Sequence, residues 1–263
     1  MINKIVSMYF SPTSTSEKIT KAISREAATA LNVENLNMSI THLRDRQEAK
    51  SFGENELLVL AIPVYAGRIP DALEGYVQSL KGNNTPAVVI SVYGNRDYDD
   101  ALLEMKNILS DNSFNVIAAG AFIGEHSLTN KIGTGRPDAS DLAVAKEFGA
   151  KIAEKVKELS EGKPLAQLNV KGNFPYKERG AGGITPITSD TCIHCGVCIA
   201  VCPVEAINGE NPALSDSEKC IRCAACVRVC PLRARSFSET PVNNAIMWLE
   251  GNCVERREPE LFL

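Results

Sequence analysis

The feature that most constrains this chain is a repeated cysteine run near its C-terminal end. Of nine cysteines in 263 residues, eight lie between Cys192 and Cys230. Each run has the spacing C-x2-C-x2-C-x3-C-P, first in 192–203 and again in 220–231. Thiols stay reduced in the cytoplasm, where clustered cysteines more often bind metal than form disulfides. Because so short a segment has little apolar core of its own, the repeat predicts a small unit built around metal centres.

The spacing of the two runs resembles that of the bacterial two-cluster ferredoxins. The resemblance implies two [4Fe–4S] clusters, each held by three thiolates of one run and the fourth of the other. The two implied ligand sets are Cys192, Cys195, Cys198 and Cys230, and Cys220, Cys223, Cys226 and Cys202. Structural zinc is the alternative, but zinc sites usually pair two separated C-x2-C knuckles. Two full runs that both end in Cys-Pro favour the clusters.

Several residues near the two cysteine runs are expected not to bind a cofactor. We expect His194, between two ligand cysteines, to point to solvent, because histidine ligation belongs to another cluster type. Cys253 is expected to be a buried free thiol. It shares one face of a C-terminal helix with Ile246 and Leu249, which predicts that this helix docks onto a domain. Trp248 on the same helix is expected to pack rather than to contact a cofactor.

The first 165 residues alternate short apolar runs with longer amphipathic stretches, as in a parallel sheet covered by helices on both faces. Strands are predicted at Lys4–Phe10, Val33–Met38, Leu57–Pro63, Ala87–Tyr93 and Val116–Ile123. Helices are predicted at about Thr15–Ala30, Asp71–Leu80, Asp99–Leu109 and Ala139–Ser160. The last three strands are near-continuous apolar runs, which indicates strands buried on both sides.

Three loops follow the first, third and fourth strands, and the carboxyl ends of parallel strands meet at one sheet edge. The first loop is rich in hydroxyl groups and opens a helix, which suits a phosphate dianion, although an ordinary Ser/Thr cap is the alternative. The other two loops present aromatic rings and glycines, which suit a flat aromatic ligand. The candidate residues are Ser11, Thr13, Ser14, Thr15 and Ser16; Pro63, Val64, Tyr65, Ala66 and Gly67; and Tyr93, Gly94, Asn95 and Tyr98.

With these loops, residues 3–160 resemble a flavodoxin, whose fold binds FMN at this edge. The resemblance implies an α/β fold with a doubly wound, five-stranded parallel sheet in the order 2-1-3-4-5. It places the phosphate on the hydroxyl loop and the isoalloxazine between Tyr65 and Tyr98, with Tyr93 as a competitor for Tyr98. Gly67, Gly94 and Asn95 would supply backbone contacts. The chain has Ser14 where the family pattern has Gly, which is often needed for unusual backbone angles.

The segment 124–137 is long for a connection between a strand and its helix, and long connections are often functional lids. It lies at the ligand edge, so His126 and Ser127 are candidates for contact with flavin or substrate. The alternative is that His126 is a solvated loop residue.

The whole arrangement resembles the flavodoxin–ferredoxin fusion proteins of anaerobic bacteria. The predicted parts are a flavodoxin-like FMN domain (1–165), a connector (166–186), a two-cluster ferredoxin domain (187–240), and a docking helix with a tail (241–263). The expected function is electron transfer between FMN, two [4Fe–4S] clusters and transient protein redox partners. Alternatives are a flavin-dependent reductase of a small molecule and a redox-sensing module. An open polar pocket above the flavin would favour the reductase.

The composition argues against some classes of binding partner. A formal net charge of -4 and the lack of a basic face argue against nucleic-acid binding. The longest apolar run, 57–66, is too short for a membrane span, and the first residues lack the features of a signal peptide. We therefore expect a cytoplasmic protein without a membrane partner. No nicotinamide-binding motif is found. A homodimer would be needed if flavin and clusters were far apart within one chain.

Replacing Cys230 with Ser is expected to remove the cluster of the 192–198 run, because the resemblance takes its fourth thiolate from the other run. Iron and sulfide per chain should fall to about half of the wild-type content. The control C253S, outside both runs, should leave both contents unchanged. The EPR spectrum of reduced C230S should match that of C195S; a match to C223S would contradict the crossed arrangement.

Overall fold

The apolar runs of the N-terminal part form the parallel strands of one sheet. The computed structural model describes residues 1–180, 182–238 and 240–263. Its first five strands are β1 (Lys4–Tyr9), β2 (Glu34–Ser39), β3 (Glu56–Pro63), β4 (Thr85–Tyr93) and β5 (Phe114–Ile123). They are parallel and lie in the order β2-β1-β3-β4-β5. This is the predicted flavodoxin-like order, so the predicted α/β fold class is confirmed.

Four helices cover the two faces of this sheet. They are α1 (Thr15–Leu31), α2 (Asp71–Ser79), α3 (Ala101–Asp111) and α4 (Ala139–Ser160). Ile23 of α1 and Ile152 of α4 belong to the core on one face, and Leu73 of α2 and Leu102 of α3 belong to the core on the other. This double cover explains why β3, β4 and β5 are buried along nearly their whole length. Among the described helices, none is both long and apolar enough to cross a bilayer.

The cysteine repeat folds as two halves with matching backbones. Short helices α5 (Val197–Ala200) and α6 (Ala225–Arg228) occupy equivalent positions, and β6 (Ile187–Thr188) pairs antiparallel with β7 (Arg235–Ser236). Positive φ angles recur at three equivalent pairs of positions: His194 and Arg222, Gly196 and Ala224, and Glu205 and Arg233. The sequence repeat is therefore also a repeat of backbone conformation.

The connector between the two parts is bound to the N-terminal domain. The buried Asp100 carboxylate accepts hydrogen bonds from the backbone N–H groups of Asn173 (2.8 Å) and Lys177 (2.7 Å). Arg179 forms ion pairs with Glu74 (2.8 Å) and Glu104 (3.1 Å). The connector thus follows a defined path along the domain surface.

The segment 124–137 bridges the two domains. Arg228 of α6 binds Glu125 Oε1 (2.7 Å), the His126 carbonyl (2.6 Å) and the Ser127 carbonyl (3.2 Å). Lys131 pairs with Glu250 of α7 (Val242–Asn252) at 2.7 Å. A second link joins Arg46 Nη2 to the Pro203 carbonyl at 2.8 Å. These bonds fix the cysteine domain against the carboxyl edge of the sheet.

The tail after α7 returns to the N-terminal domain and adds a sixth strand, β8 (Glu260–Phe262), antiparallel to β5. The five parallel strands agree with the expected order, and β8 extends the sheet by one antiparallel strand. Asn95 fixes the path of the tail, because its side-chain N–H groups donate to the carbonyls of Cys253 and Glu255, both at 2.7 Å. Three residues are too few to show a strand periodicity, which is why the sequence pattern did not reveal β8.

Candidate functional site

A cavity of about 840 Å³ lies between the two domains, at the carboxyl edge of the parallel sheet. The candidate residues on its wall are Thr13, Thr15, Pro63, Val64, Tyr65, Ala66, Gly67, Tyr93, Gly94, His126 and Ser127. The opposite wall comes from Cys220, Ile221 and Arg222 of the cysteine domain and from α7. The three predicted loops and the 124–137 segment therefore meet at one site.

The hydroxyl loop wraps the N-terminus of α1. Ser14 precedes the helix with a φ of 63°, a left-handed conformation that explains why the flavodoxin pattern has Gly at this position. Ser11 Oγ accepts a hydrogen bond from the Glu17 N–H (3.0 Å). Ser16 Oγ is buried and has no hydrogen-bond partner among the described residues. Free amides and an unpaired hydroxyl at a helix N-terminus fit a phosphate group.

Only two hydroxyl residues of this loop, Thr13 and Thr15, are on the cavity wall. Ser11 acts as a cap within the loop, Ser14 is exposed, and Ser16 is a buried residue of the first turn of α1. Their predicted role in phosphate binding stays a prediction.

The loop after β3 is a tight turn. The backbones of Tyr65 and Arg68 exchange two hydrogen bonds, at 2.9 and 3.1 Å, around Ala66 and Gly67, whose φ angles are 52° and 85°. A Cβ at Gly67 would collide with the Asp99 carboxylate. Arg68 is anchored by the buried Glu104 at 2.6 Å. The turn therefore holds Tyr65 and the neighbouring backbone at a fixed position on the cavity wall.

The predicted place of Tyr98 beside the ligand needs correction. Its ring is 1% exposed, its hydroxyl donates to Glu260 Oε2 (2.7 Å), and it is not on the cavity wall. Burial and the Glu260 carboxylate raise the pKa of Tyr98 well above its usual value. Tyr93, whose ring centroid lies 5.5 Å from that of Tyr98, is on the wall instead. Burial raises the pKa of Tyr93 to about 12, so both phenols are neutral at physiological pH.

Three other expectations change for the same reason, which is the position of the tail and α7. The Asn95 side chain holds the tail and is not on the wall. Trp248 was expected to pack, but its side chain lines the cavity and the residue is 55% exposed. Cys253, expected to be buried, is half-buried at the end of α7. Nothing in the local sequence indicated that α7 would cover loops some hundred and fifty residues earlier.

His126 lies on the cavity wall with its ring against Gly94, where a Cβ would collide with the imidazole. Its Nδ1 accepts a hydrogen bond from the Leu128 N–H (3.2 Å), so Nε2 carries the proton of the neutral ring. Burial lowers the pKa of His126 to about 4, and the charges of Arg228 and Arg96 add to this shift. His126 is thus a neutral hydrogen-bonding group at physiological pH.

Two smaller cavities lie within the cysteine domain. One is lined by Cys192, Cys195, Cys198 and Cys230, and the other by Cys202, Cys220, Cys223 and Cys226. We call them the outer and the inner cysteine cavity. These groupings are the two ligand sets that the ferredoxin resemblance implies. Within the described ranges, no group of three or more His, Cys, Asp or Glu side chains is arranged to hold a single metal ion.

The donors around the cysteine cavities fit iron–sulfur clusters. The N–H groups of Ala206 and Ala234 donate to Cys202 Sγ and Cys230 Sγ, both at 3.2 Å. None of the nine cysteines forms a disulfide bond. Burial raises the pKa of Cys223 to about 12, so a thiolate here requires a positive partner such as iron. His194 is exposed, as expected.

The inner cysteine cavity adjoins the large cavity, because Cys220, Ile221 and Arg222 are on the walls of both. Tyr65 marks the same boundary from the other domain. Burial raises the pKa of Tyr65 well above its usual value, and the Cys223 and Cys220 thiols raise it further. Tyr65, which is predicted to contact the flavin, therefore faces the inner cysteine cavity.

Comparisons with known proteins agree with the cysteine pattern. Residues 184–231 match a family model described as a 4Fe-4S dicluster domain. No curated protein matches the chain significantly.

Solved structures similar to the chain include two flavodoxins and an oxygen:oxidoreductase. A flavodoxin from the domain Archaea has 18% identity and a TM-score of 0.41, covering 59% of this chain and 99% of that one. A flavodoxin from Streptococcus pneumonia TIGR4 has 14% identity and a TM-score of 0.41, with coverages of 59% and 99%. Rubredoxin oxygen:oxidoreductase from Desulfovibrio gigas has 16% identity and a TM-score of 0.43, with coverages of 59% and 36%.

The depressed pKa of His126 generates a prediction. Its ring should stay neutral down to a pH of about 4, and the stability gained by burying a neutral ring should be lost as pH falls from about 6.5 towards 4. Stability falls with pH in this window because the unfolded chain binds the proton more readily than the folded chain does. Exchange of the imidazole Cε1 hydrogen with deuterium, followed by mass spectrometry, reports the midpoint for each histidine. A midpoint near 6.5 for His126, with the exposed His194 as internal reference, would contradict this.

Proposed function

We propose that this chain, a flavodoxin-like domain joined to a 4Fe-4S dicluster-type domain, transfers electrons between FMN and two [4Fe–4S] clusters. FMN exchanges one or two electrons and each cluster exchanges one, so the chain would link pair chemistry to single-electron delivery. The observation that carries the proposal is the shared wall of the large cavity and the inner cysteine cavity. A flavin and a cluster bound in these two places would be neighbours within one chain, so transfer would not require a dimer.

Different residues would bind the phosphate and the ring of the flavin. The N-terminus of α1, with Thr13 and Thr15, would take the phosphate. Tyr65, Tyr93 and Trp248 offer aromatic faces to the ring. The neutral His126 would donate a hydrogen bond through Nε2, and its low pKa means that it adds no charge beside the ring.

The outer cysteine cavity supports delivery to a protein partner. Cys195 is exposed, and the exposed apolar side chains of Ile193, Val197 and Leu232 line the same cavity. Exposed apolar side chains grouped at a redox centre suit a small transient interface. Electrons would therefore pass from the flavin to the cluster in the inner cysteine cavity, then to the cluster in the outer cysteine cavity, and on to a partner. The reverse direction would use the same order of centres.

Two variants test this order. Purified protein should contain one FMN and about eight irons and eight sulfides per chain. C202S should lose the inner cluster and C230S the outer one. After rapid photoreduction of the flavin, electron transfer to a cluster should persist in C230S, slow by at least ten-fold in C202S, and be independent of protein concentration. FAD or no flavin in the purified protein, equal rates in the two variants, or a rate proportional to concentration would contradict the proposal.

A second candidate function, reduction of a small molecule at the flavin, is favoured by the polar groups of the large cavity. Arg96, His126 and Ser127 are on its wall together with the flavin-site loops. Convergent polar groups in an open cavity are typical of a substrate site. The clusters would then supply electrons to the flavin.

A comparison of acceptors separates the two functions. If the chain is a reductase, H126A should slow reduction of a small water-soluble quinone by about 100-fold, the effect of losing a positioned proton donor. Reduction of cytochrome c, which is too large to enter the cavity, serves as the control acceptor for the same variant. An unchanged ratio of the two rates would exclude a reductase role for His126.

A further inference from the structure

The two cysteine runs and the residues that follow them are near-copies, but one buried pair of equivalent positions differs in charge. Val204-Glu-Ala-Ile207 follows the first run, and Leu232-Arg-Ala-Arg235 follows the second. Ile207 is 7% exposed and Arg235 is 3% exposed. The fold therefore buries a guanidinium where its own repeat has an aliphatic side chain.

The hydrogen bonds of Arg235 leave its charge uncompensated. Nη1 donates to the Pro212 carbonyl (2.6 Å), and Nη2 donates to the Ser215 hydroxyl. Nε is buried and has no partner in the part of the chain that the structure describes. No carboxylate of the described residues lies within 4.0 Å of the guanidinium, since Arg235 takes part in none of their salt bridges. A buried cation without an anion is strongly unfavourable, so a negative group must face it.

The position of Arg235 shows where that negative group belongs. Its side chain is on the wall of the outer cysteine cavity and also on the wall of the inner one. Among the described residues, no other is shared by the two walls.

We infer that Arg235 is a shared counter-cation between the two [4Fe–4S] clusters, and that it raises the reduction potential of both. The inference rests on the proposed function, because it requires both clusters. Reduction of a cluster adds one electron and no atom, so the negative charge of the cluster and its thiolates increases by one. A buried guanidinium nearby favours that more negative state, and its free Nε–H is available to a cluster sulfur. Because Arg235 serves both centres, it would keep their potentials high together.

The test is an anaerobic redox titration of holoprotein, followed by EPR, for the wild type and R235Q. Iron and sulfide are measured first. About eight of each per chain in the wild type establish the clusters, and their absence would instead overturn the proposed function. Both midpoint potentials should be lower in R235Q than in the wild type. R235K, which keeps the charge, should lie closer to the wild type than R235Q does.

R233Q is the matched control, because Arg233 is an exposed arginine two residues away in the same segment. It should leave both potentials near their wild-type values. Unchanged potentials in R235Q, a shift of only one cluster, or an equal shift in R233Q would overturn the inference. If R235Q does not assemble both clusters, R235I, which carries the residue of the first repeat, is titrated against R235K. Lower potentials in R235I than in R235K support the inference, and equal potentials overturn it.

Discussion

Arg228 joins the two halves of the molecule through one guanidinium. It lies in α6, two residues after Cys226, and binds the Glu125 carboxylate and the carbonyls of His126 and Ser127. The planar fork of arginine reaches three acceptors at once, which a lysine ammonium cannot do with the same geometry. Arg228 thereby holds the loop that carries His126 against α6, the helix that contains Cys226. The shared wall between the large cavity and the inner cysteine cavity depends on this contact.

The local sequence pattern was sufficient to predict the features that depend only on residues close together in the sequence. The buried strands β3, β4 and β5 were predictable because runs such as 57–62 are apolar without interruption, and helix α4 agrees with its predicted bounds. The two ligand sets are those that the ferredoxin resemblance implies, and the members of each set line one cavity. Ser14 was marked by its departure from the flavodoxin pattern, and its left-handed backbone accounts for that position.

The rest depends on contacts between distant residues. Tyr98 looked like a ligand-stacking ring because it follows a strand, but the tail supplies Glu260 as its partner and draws it into the core. Trp248 looked like a packing residue because its helix is amphipathic, yet α7 presents it to the cavity. β8 has only three residues, and its pairing with β5 uses backbone groups that no side-chain pattern reports. In each case the segment from α7 to β8 changed a local interpretation.

That returning tail also changes how the cysteine domain is attached. The chain leaves the flavodoxin-like sheet after α4, forms the cysteine domain, and comes back to pair β8 with β5. Topologically, the cysteine domain is therefore an insertion in the first domain, anchored at both of its ends. A unit tethered twice explores far less space than one carried on a single flexible linker, so its effective concentration at the flavin edge is correspondingly high. Electron exchange between the two domains would then proceed without a diffusional search.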